Sequence, residues 1–128
     1  MVALGVNACY QESQVTMSGP SQLLLLVYDS MLRFLAEGKR EMQKKNYEAK
    51  NTYLLKTQRL LGELIIAIDH SVYPELAANL DRLYRYLYDR LTYANIYDDE
   101  AVLMEVAGHL NDLRGAWKTA SKEWRNGG

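Results

Sequence analysis

Phenylalanine occurs once, cysteine once and proline twice in this 128-residue chain, and neither charge sign prevails, with 15 Lys and Arg against 16 Asp and Glu. Each scarcity excludes something. A lone Cys9 makes no intramolecular disulfide, and no Cys-x-x-Cys or Cys/His spacing exists for zinc, so a reducing, cytoplasmic setting is expected. A net charge of −1 supplies no basic footprint for nucleic acid. No wholly apolar run exceeds that of Leu23 to Val27, far short of the roughly 18 residues of a membrane span, so no membrane insertion is expected. No Lys or Arg precedes Arg33, which leaves no basic region for a secretory signal. P-loops, dinucleotide glycine patterns and nucleophile elbows are all missing.

The residues present form four long segments of helical period. Hydrophobic residues make up 48% of the chain, enough for one domain with a single core. Residues 1–19 lack a sustained period and read as a short mobile N-terminal arm. Residues 20–125 read as the bundle, with helices over about 20–44, 47–70, 74–95 and 99–124. Pro20 and Pro74 suit first helical positions, Gly19 or Ser18 and Asn46 suit caps, and Asp98 is expected to cap the last helix. Leu24, Tyr28, Met31, Leu35 and Met42 share a face of the first helix. Leu54, Leu61, Ile65 and Ile68 share one on the second, and Leu76, Leu80, Leu83, Leu87 and Leu91 one on the third. Leu103, Val106, Leu110, Leu113, Trp117, Ala120 and Trp124 follow the alternating three–four spacing of a heptad seam. Short connections between long helices imply an all-α, antiparallel up-down four-helix bundle.

Bundles often carry chemistry in their cores, and little of it is visible here. A di-iron site needs two Glu-x-x-His motifs, and neither His70 nor His109 has an acid three residues before it. A histidine phosphotransfer module is the catalytic alternative, but Asp112 stands where a cation beside His109 would be needed and repels phosphate. No catalytic residue, metal ligand or cofactor is assigned, and the chain is not expected to be an enzyme.

Tyrosine is the surplus: ten of the thirteen aromatic residues. On the third helix Tyr86, Tyr93 and Tyr97 lie on one flank of the leucine stripe and Tyr84 and Tyr88 on the other. The apolar and tyrosine positions together span about 220°, where a bundle helix needs somewhat over 100°. A helix wedged between two neighbours buries a wide arc. The alternative is an apolar groove with amphipathic rims that receives a partner, or that pairs with a second copy in a self-associating structural bundle.

One block of this helix resembles a known family. Ala78-Asn79-Leu80 followed by Leu83-Tyr84-Arg85-Tyr86-Leu87-Tyr88-Asp89-Arg90-Leu91-Thr92-Tyr93-Ala94-Asn95 is similar to the A-x-N-L…L-Y-x-Y…R-L-x-x-A-N run of the flagellin export chaperones, the FliS family. Leu26-Val27-Tyr28-Asp29 and Ala116-Trp117 match two further blocks, and Tyr10, Val15, Ser18 and Pro20 echo the family's N-terminal arm and helix start. Gly19, Ser30, Asp89 and Tyr93 depart from its pattern. The resemblance implies a cytosolic chaperone, monomeric when free. It would bind the disordered C-terminal segment of flagellin 1:1, block premature polymerisation and keep the subunit export-competent. An export-gate component would be a second partner, and the arm a displaceable lid. Helical spacing and the resemblance together nominate Tyr10, Tyr84, Tyr88, Leu91 and Asn95 as flagellin contacts, with Leu87 and Trp117 in the core.

Overall fold

Four helices and no strand make up the described part of the chain, which in this computed structural model is the backbone of residues 20–127 and the side chains of residues 22–120 and Lys122. They are α1 (Pro20–Gln43), α2 (Tyr47–Ala67), α3 (Pro74–Tyr97) and α4 (Glu100–Gly127). Tyr10, the Gly19 or Ser18 cap and the Trp124 side chain lie outside the described residues.

Each helix packs on its sequence neighbour, and α4 closes the ring on α1, while the diagonal pairs stay apart. Cross-links between α1 and α4 show the antiparallel sense: Gln43 Nε2 donates to Glu100 at 2.7 Å, and Arg114 Nε donates to Asp29 at 2.5 Å. The arrangement is the up-down bundle that short connections impose. The α1–α2 pair approaches closely because Gly38 has no side chain. A Cβ there would sit 3.0 Å from Leu54 Cδ2 and 3.4 Å from Tyr53 Cβ.

The turns are built from local polar chemistry. α1 ends where Lys45 takes a left-handed conformation (φ 61°), with the Asn46 N–H donating back to the Glu41 carbonyl at 2.9 Å. Asn46 occupies the cap position of α2, but its side chain makes no capping hydrogen bond. After α2, Asp69 Oδ1 accepts from the Ser71 N–H at 2.9 Å and from its hydroxyl at 2.5 Å. These bonds hold the Asp69 carboxyl below the usual range. At the last turn the sequence expectation needs correcting. Asp98 does not cap α4; it closes α3 in a left-handed conformation (φ 51°). Asp99 is the cap, its Oδ1 accepting from the Val102 N–H at 3.2 Å. Two successive aspartates split the work of ending one helix and starting the next.

The core follows the expected stripes on α1 and on the first half of α4: Leu24, Tyr28, Met31, Leu35, Met42, Leu103, Val106 and Leu110 are all buried. Helix α3 is different. Leu76 is 50% exposed and Leu80 and Leu83 are only half-buried, while Ala77, Tyr84, Leu87, Leu91 and Ala94 are buried. The inward face is thus turned by roughly 30° from the leucine stripe at 100° per residue. Leu76 lies in the first turn of α3. Tyr84 enters the core because its hydroxyl finds a partner there: it lies 2.6 Å from the Tyr28 hydroxyl, which in turn accepts from Trp117 Nε1 at 3.1 Å. Three helices therefore meet in one aromatic triad, with both tyrosines buried and Trp117 half-buried, and it spans the diagonal that the backbones leave open.

Candidate functional site

The surface where α2 and α3 run side by side carries part of what the bundle leaves exposed. On α2, Asn51, Leu55, Gln58, Gly62 and Ile66 recur at spacings of four, three, four and four, which keeps them on one edge of the helix. On α3 that edge faces Tyr88, Thr92 and Asn95. Cross-links fix the alignment: Asn95 Nδ2 donates to Asn51 Oδ1 at 2.8 Å, and Gln58 Nε2 donates to the Tyr88 carbonyl at 3.0 Å and to Thr92 Oγ1 at 2.8 Å. Above this polar floor, Leu55, Ile66 and Tyr88 are 48%, 65% and 40% exposed. No other group lies within 4 Å of a Cβ built on Gly62, so the seam has an open notch between Leu55 and Ile66. Exposed apolar side chains on a rigid two-helix ridge are suited to burying the apolar face of another chain.

The seam is anchored at one end by Lys50, a buried cation of α2. Its Nζ donates to the Asn95 carbonyl at 2.8 Å and to Asp98 Oδ1 at 2.6 Å, and lies 5.4 Å from the centre of the Tyr47 ring. A positive charge at the C-terminus of α3 complements the helix dipole as well as the carboxylate. At the other end a cavity of about 190 Å³ opens among Leu24, Leu64, Leu80, Tyr84 and Trp117, bordered by the exposed Tyr73 and Leu76. It is smaller than the roughly 300–1,000 Å³ of ordinary small-molecule sites and has the size of an apolar side chain.

The opposite flank of α3 is polar where it meets α4. Glu105 accepts from the Tyr86 hydroxyl and, at 3.1 Å, from Arg90 Nε, with His109 Nε2 3.5 Å away. The Tyr86 hydroxyl bond, then Arg90 and His109, lower the Glu105 carboxyl below its usual range; the same bond raises the Tyr86 phenol. The Tyr93 and Tyr97 rings lie 4.7 Å apart and tilted by 46° beside them, with Arg90 over the Tyr93 ring. Here His109 is edge-on to Tyr86 and next to a carboxylate, a setting that disfavours a phosphoryl group. No group of three metal-ligating side chains occurs among the described residues, and no described helix is long and apolar enough to cross a membrane.

The five nominated contact residues therefore separate. Tyr88 and Asn95 lie on the α2–α3 seam. Tyr84, 2% exposed, and Leu91, fully buried, sit directly beneath it. Tyr84 is expected on a flank of the leucine stripe, and the rotation of α3 carries it inward; Leu91 belongs to that stripe and is buried with it, so neither nominated contact presents its side chain at the surface. Tyr10 is outside the described residues. Of the two residues assigned to the core, Leu87 is buried and Trp117 packs against the core through the aromatic triad. Leu55, Gly62, Ile66 and Gln58 belong to no motif that marks them in the sequence. The visible signal was an apolar pair on α2 about 100–120° away from its core stripe.

Residues 3–124 match the family described as Flagellar protein FliS. Among curated relatives, the flagellar secretion chaperone FliS of Bacillus subtilis is 34% identical over 116 residues, which cover 91% of this chain and 86% of the relative. FliSB of Pseudomonas aeruginosa, also named a flagellar secretion chaperone, is 34% identical over 106 residues, 83% of this chain and 84% of its own. The Salmonella typhimurium chaperone FliS is 31% identical over 123 residues, with 93% and 91% covered. Chaperone is the role each of these relatives is named for, and it is a non-enzymatic one.

Proposed function

Since the chain belongs to the FliS family of flagellar secretion chaperones, we propose that its client is the disordered C-terminal segment of flagellin, bound 1:1 in the cytoplasm before export. The observation that carries this reading is the α2–α3 seam, where Leu55, Ile66 and Tyr88 stand exposed on a floor of cross-linked polar residues. A segment that polymerises through its apolar face is kept monomeric when that face is covered. The seam offers cover without any chemistry. Tyr88 and Asn95 act from the surface; Tyr84 and Leu91 hold the ridge from beneath; Tyr10 and the first nineteen residues compete for the client surface when it is empty. The free chain is a monomer, and the complex is the form that an export-gate component would meet.

Coupled folding and binding of such a segment buries roughly 1,000–3,000 Å² and spends roughly 2–5 kcal/mol on ordering. Calorimetry of the whole chain against a C-terminal flagellin segment should give 1:1 binding at micromolar or tighter affinity, with a gain of helix by circular dichroism. An absence of heat at micromolar concentrations would sink the client assignment.

A further inference from the structure

Two polar stations interrupt the apolar α2–α3 seam, and each has hydrogen-bonding capacity left over. Gln58 is 5% exposed, and its Nε2 donates to both the Tyr88 carbonyl and Thr92 Oγ1. A carbonyl only accepts. The Thr92 hydroxyl donates to that same carbonyl at 3.3 Å, so its oxygen is the acceptor for Gln58. The amide orientation is thereby fixed, with Oε1 on the other side. That oxygen has no hydrogen-bond partner among the described residues, and it is not sealed from solvent. Seven residues earlier on the same helix edge, Asn51 and Asn95 share one hydrogen bond. One bond between two carboxamides leaves one carbonyl oxygen and one amide nitrogen unused, whichever way the pair is oriented. Lys50 pins the Asn95 backbone under this station.

Seven residues of helix advance about 10.5 Å and return to nearly the same angular position. An extended chain does not match that interval, because its same-face residues recur at about 6.7 Å and then 13.4 Å. Positions i and i+7 of a helix lying along the seam do match. A wholly apolar helix would seal Gln58 Oε1 without a donor, an arrangement penalised in any interface.

We propose that the α2–α3 seam seats an α-helical client segment bearing side-chain carboxamides, Asn or Gln, seven residues apart on an otherwise apolar face. Leu55 lies between the stations and Ile66 beyond them, and both take the apolar residues of that face. The stations set the register of the client helix, as a single buried Asn sets register in a coiled coil. This rests on the seam being the client surface.

The test uses the full chain and three synthetic helical peptides with one common apolar face. They carry Gln at i and i+7, Gln at i and i+4, or Leu at all of these positions, and a C-terminal flagellin segment is measured alongside. By fluorescence anisotropy the i, i+7 peptide should bind about tenfold tighter than either other peptide, equivalent to about 1.4 kcal/mol. Gln58→Leu should abolish that preference in favour of the Leu peptide. Asn51→Ala, at an exposed position, should reduce it to about threefold and serves if Gln58→Leu fails to fold. Equal affinities for the three peptides, or a preference that survives Asn51→Ala undiminished, overturns the proposal. Flagellin binding without a register preference overturns this inference alone; a register preference without flagellin binding overturns the client assignment instead.

Discussion

Tyr84 is a polar residue in the core whose burial is explained by two other aromatics. Its hydroxyl lies against that of Tyr28, and burial is the main cause that pushes its phenol well above the usual tyrosine range, with Tyr28 adding to it. The sign for stability follows. The folded state keeps the proton while the unfolded chain releases it, so the contribution is complete below about pH 10 and is lost as pH rises above it. Urea midpoints measured from pH 8 to 11 should therefore fall steeply above pH 10. Tyr84→Phe should flatten that fall by one proton and cost about 1 kcal/mol at pH 8 through the lost hydrogen bond. Tyr88, one turn on, has its ring outside. Tyr88→Asp should weaken flagellin-segment binding by about tenfold or more while leaving thermal unfolding nearly unchanged. Leu91→Ala, beneath it, should cost about 2–5 kcal/mol of stability as a core cavity. A stability loss of that size in Tyr88→Asp would show that the ring supports the fold instead of facing a client.

At the scale of elements, two glycines distinguish a packed pair of helices from an open one. Gly38 lets α1 and α2 approach, and its Cβ would press on Leu54 and Tyr53. Gly38→Ala should destabilise by about 1–3 kcal/mol, the cost of overpacking. Gly62 sits on the exposed edge of α2 with nothing near. Gly62→Ala should stabilise by about 0.5–1 kcal/mol, since alanine is the better helix former. Urea denaturation of the two variants checks both signs. If the notch at Gly62 admits a client side chain, the same alanine weakens binding even as it strengthens the fold, a split that a purely structural glycine would not show. The α3–α4 turn carries a related division: Asp98 ends one helix, Asp99 starts the next, and Lys50 of α2 holds the first of them in place.

For the whole molecule, the question is what covers the seam when no client is present. Sedimentation of the chain alone should give a monomer that becomes a 1:1 complex with the flagellin segment; a dimer that dissociates on adding client would instead make self-association the resting cover. The four helices, their order and their up-down arrangement were legible without coordinates. Those follow from 3.6-residue periodicity and short connections, which are local properties. So was the absence of a charge or cysteine signature, and the block from Ala78 to Asn95 pointed to the family. Which side of each helix faces inward was legible where the stripe was pure, as in Leu24 to Met42. It was not legible on α3, where leucines and tyrosines compete for the same arc. There the packing of distant helices settles the face, because a tyrosine is buried when its hydroxyl meets a partner, and Tyr28 and Trp117 come from helices distant in sequence. The same holds for the seam. Leu55, Gln58 and Asn51 become a surface only when α3 lies beside them, and no periodicity within α2 states which neighbour that will be.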